Sequence, residues 1–277
     1  MLHRTQVIEV LREIGRLEDA VIDPADTALW LASADRLDVP QESYRAALAS
    51  IAEDVRSTTA RSHSVDMQVA ALSRVLSETW GFVGDTETYD DSRNANLMHV
   101  IDRRRGLPVA LGILWLHAGR AYQADLVGLA FPSHFLVRLA GRGQRAILDV
   151  FHGGRPLEAA DLRRMIKETM GAQQEIAPQH YAPVGSRDVL IRLQNNLKVR
   201  ALAAGDLPRA LEVLETMTAL APDRGGLWQE TALVQSRLGN LKTAIATLEG
   251  FLAGASPSEG ERGQVEDLLR RLRSSMN

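Results

Sequence analysis

Residues 106–154 decide the fold and read GLPVALGILWLHAGRAYQADLVGLAFPSHFLVRLAGRGQRAILDVFHGG. The first third of this segment is almost wholly apolar and has a proline near its start, which is typical of a helix buried on most sides. Short β-like runs follow at 126–129, 134–139 and 146–151, and the last two flank Gly-Arg-Gly-Gln, which favours a hairpin. The segment therefore predicts a buried helix followed by a small antiparallel sheet.

The hairpin brings a histidine and a carboxylate to one face of this sheet. If Gly141 and Arg142 form a two-residue turn, position 134 pairs with 149, and His134 lies directly opposite Asp149. If Arg142 and Gly143 form the turn, position 134 pairs with 151, and Asp149 is a diagonal neighbour on the same face. A turn centred on one residue would separate the two side chains. Both two-residue turns thus predict that His134 and Asp149 lie close together.

Helical patterns flank the segment on both sides. We interpret residues 1–88 as a helical N-terminal region packed on the core, residues 89–185 as the core, and residues 186–277 as helical repeats. In the last region GDLPRALEVLETMTALAPD, from position 205, is repeated as GNLKTAIATLEGFLAGASP from position 239. The offset, 239 − 205 = 34 residues, is the tetratricopeptide period, with generic helical hairpins as the alternative. Two repeats are fewer than usually fold alone, so we expect them to pack on the preceding domain or on a partner.

Composition argues against several kinds of site and partner. The 277-residue chain has a formal net charge of −3 at pH 7 and no long basic run, which argues against nucleic-acid binding. It contains no cysteine, and therefore no disulfide, Cys-ligated metal or thiol nucleophile. Its N-terminus lacks the apolar segment of a signal peptide, and no stretch approaches the ~20 apolar residues of a membrane span. We expect a cytoplasmic protein with no membrane contact and no cofactor.

Four motifs are concentrated in residues 89–154. They are two asparagines before a helix, Arg-Arg-Gly-x-Pro, a His-Phe-Leu-Val strand, and an Asp followed by Phe-x-Gly-Gly. Together they resemble the core of bacterial SirB-type proteins of the transglutaminase-like superfamily. The resemblance implies an α+β fold with a helical N-terminal region, a papain/transglutaminase-like core and C-terminal tetratricopeptide-like hairpins. We expect the two asparagines, Asn94 and Asn96, to hydrogen-bond to the loop around Gly106.

The resemblance also implies a site. The superfamily is similar to papain, with a Cys at a helix N-terminus, a His that acts as base and an Asp that orients it. Carried over to this chain, the base and the carboxylate are His134 and Asp149, and the nucleophile position falls at or beside Ala110. Residues 106–132 contain no Cys, Ser or Thr, so thiol chemistry is absent. Ser133 is an alternative nucleophile, although adjacent residues of a strand point to opposite faces.

These residues lead to two functional hypotheses. The first is a non-catalytic transglutaminase-fold protein, a pseudoenzyme that binds a protein or peptide partner. Its partner-binding residues are predicted on the first helix of the repeat region: Arg192, Asn195 and Lys198. The alternative is a hydrolase or acyltransferase that uses a His134–Asp149 dyad with a non-cysteine nucleophile or activated water.

Two other kinds of site have simpler explanations. His134, Asp149 and His152 match a two-His-one-carboxylate metal set, but spacing this loose is common by chance, and we expect no metal. The three arginines at 103–105 match an anion site, but cations at the end of a helix also complement its dipole.

Overall fold

The structure is a computed structural model that describes residues 2–59, 62, 64–132, 134–254 and 258–275. Within these residues the α-helices are α1 (Arg4–Gly15), α2 (Pro24–Ser33), α3 (Glu42–Thr59), α4 (Val65–Ser73), α5 (Leu97–Arg103), α6 (Pro108–Ala121), α7 (Ala159–Met170), α8 (Ser186–Ala203), α9 (Leu207–Leu220), α10 (Gly225–Arg237), α11 (Leu241–Gly254) and α12 (Glu259–Ser274). The strands are β1 (Val83–Gly84), β2 (Arg105–Gly106), β3 (Asp125–Leu129), β4 (Leu136–Gly141), β5 (Gln144–Asp149), β6 (Arg155–Leu157) and β7 (Pro183–Val184). No helix in the described part of the chain is both long and apolar enough to cross a membrane.

One small sheet lies among the helices. Its strand order is β6-β5-β4-β3-β7, and each neighbouring pair is antiparallel. The two short strands β1 and β2 pair in parallel and stand apart from it. The predicted α+β class with a small antiparallel sheet is therefore confirmed.

The chain divides into two compact units. The first unit contains Asp19–Leu193, and the second contains Leu2–Glu18 together with the chain from Gln194 onward. Helix α1 therefore belongs to the unit of the C-terminal helices, although the sequence led us to expect 1–88 to pack on the core as one region. The three-domain division remains a prediction, because a compact unit reports contacts and not independent folding.

Helix α6 is the centre of the first unit. Pro108 occupies its first position, where a backbone N–H would have no partner in the helix. Nearly all of its side chains are buried, as predicted. Two glycines allow the sheet to approach: a Cβ on Gly112 would lie 2.2 Å from the Phe135 ring, and one on Gly119 would lie 2.8 Å from Leu126.

The β4–β5 hairpin has the second of the two registers considered. Position 141 pairs with 144, and the turn residues Arg142 and Gly143 have φ angles of 50° and 78°. A turn with positive φ at both positions matches the right-handed twist of the strands, which favours this geometry. The register that would place His134 directly opposite Asp149 is therefore wrong.

A buried carboxylate fixes the chain ahead of α6. Asp85 is 1% exposed and forms an ion pair of 2.9 Å with Arg103. Burial alone would raise the pKa of Asp85, but hydrogen bonds from Thr88, Asn94 and Arg103 hold that pKa well below its usual range. The backbone carbonyl of Asn94 accepts a hydrogen bond of 2.9 Å from the backbone N–H of Leu107 in the loop, whereas its side chain bonds to Thr88 and Arg103.

Asn96 makes different contacts from those expected. Its Oδ1 accepts a hydrogen bond from the backbone N–H of His99 and caps α5, and its Nδ2 donates to the carbonyl of Ala32.

The arginines at 103–105 make contacts within the fold. Arg104 lies over the rings of Trp80 and Phe82, and its neighbours pair with Asp85 and Glu87. Contacts within the protein therefore account for this run.

We expect Gly154→Ala to destabilise the fold more than Gly153→Ala. Both glycines have left-handed φ angles, 81° and 71°, so each alanine costs about 1–2 kcal/mol of backbone strain. A Cβ on Gly154 would also overlap the Trp115 ring at 2.1 Å, whereas one on Gly153 meets nothing closer than 3.6 Å. Urea denaturation should therefore give Gly154→Ala a further loss of about 1–3 kcal/mol in the free energy of unfolding. Equal losses would show that the Trp115 contact tolerates a methyl group.

Candidate functional site

The candidate site is built at the end of β5. Asp149 is the last residue of this strand and is 3% exposed. Its Oδ1 accepts hydrogen bonds from the backbone N–H groups of Phe151 and His152, at 3.1 and 3.4 Å. These bonds cap a short 3-10 turn over Val150–His152, where the sequence had predicted that the strand continues. The backbone therefore holds the carboxylate in place.

Two histidines share the Asp149 carboxylate. His134 Nε2 lies 3.5 Å from Oδ1, and His152 Nδ1 lies 2.7 Å from Oδ2. The structure thus brings His134 and Asp149 together, but at the outer limit of a hydrogen bond. Within the described residues, His134 Nε2 has no hydrogen bond of normal geometry. Burial alone would raise the pKa of Asp149, but the hydrogen bond from His152 and the closeness of both imidazoles lower it to about 2.

The rings around this carboxylate form a cluster with a solvent-facing side. Phe151 makes edge-to-face contacts with His134, His152 and Tyr89, at centroid distances of 6.5, 5.2 and 5.9 Å. Phe151 is buried, whereas the side chains of His134 and His152 are 26% and 56% exposed. The imidazoles are therefore accessible to a ligand although the carboxylate between them is not.

The position expected for the nucleophile carries no reactive atom. Ala110 is the third residue of α6 and is fully buried. Ser133, the alternative nucleophile, lies outside the described residues. Ala110 therefore offers a methyl group where the resemblance implies a thiol.

Sequence reasoning missed two features of this region. His152 was weighed only as a metal ligand, yet it makes the shorter contact to Asp149. Ser73, the last residue of α4, lines a cavity of about 480 Å³ together with His152 and Gly154, and no motif in the sequence marks it. The position of His152, three residues after Asp149, was the sign in the sequence that the two side chains could meet. The 3-10 turn of the structure shows that the His152 ring folds back towards the carboxylate. Within the described chain, no group of three or more His, Asp and Glu side chains could hold a metal ion.

Arg192, predicted to bind a partner, has a role inside the first unit. Its guanidinium donates hydrogen bonds to the carbonyls of Phe131 and His134, at 3.1 and 2.6 Å. It also lies over the Phe135 ring, 5.7 Å from the centroid. These contacts hold the segment that carries His134, so the Arg192 side chain is already engaged by the fold.

The other two predicted partner-binding residues differ in exposure. Lys198 is 6% exposed and forms an ion pair with Glu230 of α10. Asn195 is exposed on the same helix. Binding of a partner by these residues remains a prediction, and Asn195 is the one whose side chain faces solvent.

Comparison with known proteins identifies both parts of the chain. A model of the transglutaminase-like superfamily matches residues 42–195, and one of the tetratricopeptide repeat matches residues 197–273. A UPF0162 protein of Xylella fastidiosa is 27% identical over 249 residues, which cover 89% of each chain. A UPF0162 protein of Vibrio cholerae is 30% identical over 182 residues, which cover 66% of this chain and 67% of that one. Mouse F-box only protein 21 is 28% identical over 135 residues, which cover 46% of this chain and 21% of that one.

The first of these matches spans more than half of the chain and contains the whole His134–Asp149 site. The second contains both copies of the 34-residue pattern. Bacterial relatives align over most of the length, which confirms the SirB-type resemblance. The chain belongs to the transglutaminase-like superfamily and carries tetratricopeptide repeats at its C-terminal end.

Proposed function

We propose that this protein is a non-catalytic member of its superfamily that binds a protein partner through its repeat unit. The observation that carries the proposal is the buried methyl group of Ala110 at the start of α6. A helix N-terminus activates a thiol by stabilising the thiolate, and alanine has no group to activate. The proposal includes the cytoplasmic location expected from the sequence.

The way in which Asp149 is used supports a structural role for the carboxylate. A buried carboxylate must be satisfied by donors whether or not it takes part in catalysis. Two backbone N–H groups and the His152 ring all make shorter contacts with the carboxylate than His134 does. The pair with His134 is therefore one contact among several that keep the turn folded.

Exposed apolar side chains on α8 and α10 support partner binding. Val199 is 51% exposed and Leu233 is 45% exposed. Asn195 lies one helical turn before Val199, so the two share a face of α8. The Lys198–Glu230 ion pair links α8 to α10, where Leu233 follows Glu230 by about one turn. Asn195, Val199 and Leu233, here called the α8–α10 face, combine apolar area with an exposed amide, as interaction surfaces do.

A hydrolase or acyltransferase is the second candidate, favoured by the orientation of His134. Its Nε2 points towards the Asp149 carboxylate, which leaves Nδ1 to accept a proton from water or a substrate. The ring is also partly exposed. This arrangement suits a general base that is oriented by a carboxylate.

Ala110→Cys tests whether a side chain at position 110 is accessible to a reagent and can be activated there. The variant carries the only thiol of the chain, so its reaction with iodoacetamide has no background. Because Ala110 is fully buried, we expect native modification about tenfold or more slower than in Ala160→Cys, an exposed control in the first turn of α7. Modification as fast as in the control, and dependent on His134, would show that the site can still activate a nucleophile at position 110, so that the non-catalytic proposal would rest on the missing thiol alone.

A double substitution on the α8–α10 face tests partner binding. We expect Val199→Asp with Leu233→Asp to reduce retention of a specific bacterial protein in affinity capture by about tenfold or more, because a carboxylate is poorly accommodated in an apolar contact. Val21→Asp with Met67→Asp is the matched control, since both side chains are exposed and belong to the first unit. Equal retention by the two double variants, measured by quantitative mass spectrometry, would remove the α8–α10 face from the proposal.

His134→Ala separates the two candidate functions. For a non-catalytic protein, we expect this variant to retain the partner as well as the unsubstituted chain does. For a hydrolase, turnover of an activated ester should fall to the background rate, because the general base is lost. Ester turnover that requires His134 would overturn the non-catalytic proposal.

A further inference from the structure

We propose that a groove formed by α1, α9, α10 and α11 binds an extended acidic segment of a protein, with Arg12 and Arg16 as the carboxylate-binding residues. The inference rests on the proposed protein-binding function, but it assigns a surface other than the α8–α10 face. Every residue that lines the groove belongs to the second unit. We refer to it below as the α1 groove.

The α1 groove has the size and the lining of a binding site for a peptide. Its volume is about 580 Å³, within the usual range of ligand sites. Trp228 contributes a ring whose Nε1 already donates to the carbonyl of Pro222, so the ring offers apolar surface to a ligand. Gln235 accepts a hydrogen bond from Thr247 through Oε1, and its amide nitrogen is left to donate to a peptide carbonyl.

Close packing of α1 on α9 places the arginines at the rim. A Cβ on Gly15 would lie 2.3 Å from the carbonyl oxygen of Ala219, so only glycine allows this approach. Gly15 lies between Arg12 and Arg16 on the last turn of α1. The approach therefore brings both guanidinium groups to the edge of the α1 groove.

The charges that line the α1 groove are unbalanced. Arg4 donates to the carboxylate of Glu215 at 3.2 Å, and this is the one acidic side chain in the described lining. Arg12 and Arg16 are exposed, and their guanidinium groups have no partner among the described residues, Glu13 between them included. Two unpaired guanidinium groups favour a ligand that carries two carboxylates.

The spacing of the two arginines defines the pattern of the ligand. Four residues of α-helix rise about 6 Å, and side chains on the same side of an extended chain are about 6.6 Å apart. Acidic residues at alternate positions of an extended segment therefore match Arg12 and Arg16. An apolar residue beside this acidic-x-acidic pattern would then meet Trp228, which lines the same groove.

Fluorescence anisotropy with the full chain tests this assignment. The probe is a fluorescein-labelled peptide, Leu-Thr-Asp-Thr-Asp-Thr-Leu, compared with Leu-Thr-Asp-Asp-Thr-Thr-Leu, which has the same composition and adjacent acids. We expect the alternating peptide to bind about threefold tighter or more, because only it meets both arginines at once. A peptide with Asn in place of Asp should not bind measurably.

Two double substitutions remove the same amount of positive charge, one inside the α1 groove and the other outside it, and the second serves as the control. Arg12→Gln with Arg16→Gln should weaken binding of the alternating peptide by about tenfold or more. Arg237→Gln with Arg262→Gln should leave it within about twofold, since both side chains are exposed and lie outside the α1 groove. Circular dichroism checks folding; if the Gln variant unfolds, Arg12→Lys with Arg16→Lys keeps the charge, loses the bidentate geometry and should weaken binding about threefold.

Three results would overturn the inference: no binding of either acidic peptide, equal binding of the two spacings, or equal weakening by the two Gln variants. If Arg12 and Arg16 only stabilise the end of α1, their loss will lower the melting temperature and leave peptide affinity unchanged. If the peptide does not bind but the α8–α10 face still retains a partner, the inference about the α1 groove is wrong and the proposed function stands. If the peptide binds but the α8–α10 face retains no partner, the proposed function is wrong and the inference about the α1 groove stands.

Discussion

Burial of α6 on nearly every side is the constraint on which the first unit depends. A helix without a polar face must be covered completely, and here helices α2, α3 and α5, the sheet and the turn after β5 all pack against it. The covering segments can approach because Gly112 admits the Phe135 ring and Gly154 admits Trp115. His134 immediately precedes Phe135, and Asp149 caps the turn that leads to Gly154. The geometry of the candidate site is therefore set by the way in which α6 is covered.

Local rules were enough to predict those parts of the structure that depend on neighbours in the chain. The apolar run predicted a buried helix because it left no polar face, and the 34-residue offset predicted paired helices because each repeat is one helical hairpin. The closeness of His134 and Asp149 was predictable for a related reason. Side chains alternate across a strand, and both two-residue turns keep the two residues on one face. The choice between those turns depended on the backbone of Arg142, which adopts a positive φ that its residue type does not suggest.

Contacts between distant parts of the chain could not be predicted in the same way. Periodicity shows that a helix face is buried but not which segment buries it, so α1 was expected on the core and lies instead with the C-terminal helices. Arg192 was predicted to bind a partner, yet its guanidinium donates to carbonyls about sixty residues away along the chain. His152 was visible in the sequence, but its bond to Asp149 requires a 3-10 turn that strand alternation does not foresee. Each case depends on tertiary packing, which no single window of sequence contains.

A histidine beside a buried aspartate is weak support for catalysis, because the aspartate needs donors in any folded protein. The resemblance implies a thiol that attacks from the start of α6, at or beside Ala110, and the chain contains no cysteine. A binding surface is indicated by the opposite observation. Polar and charged groups that the fold leaves without partners are available to a ligand. In the first unit, the carboxylates of Asp85 and Asp149 are satisfied internally. In the second unit, the guanidinium groups of Arg12 and Arg16 have no partner among the described residues, so they can bind a ligand without breaking a contact of the fold.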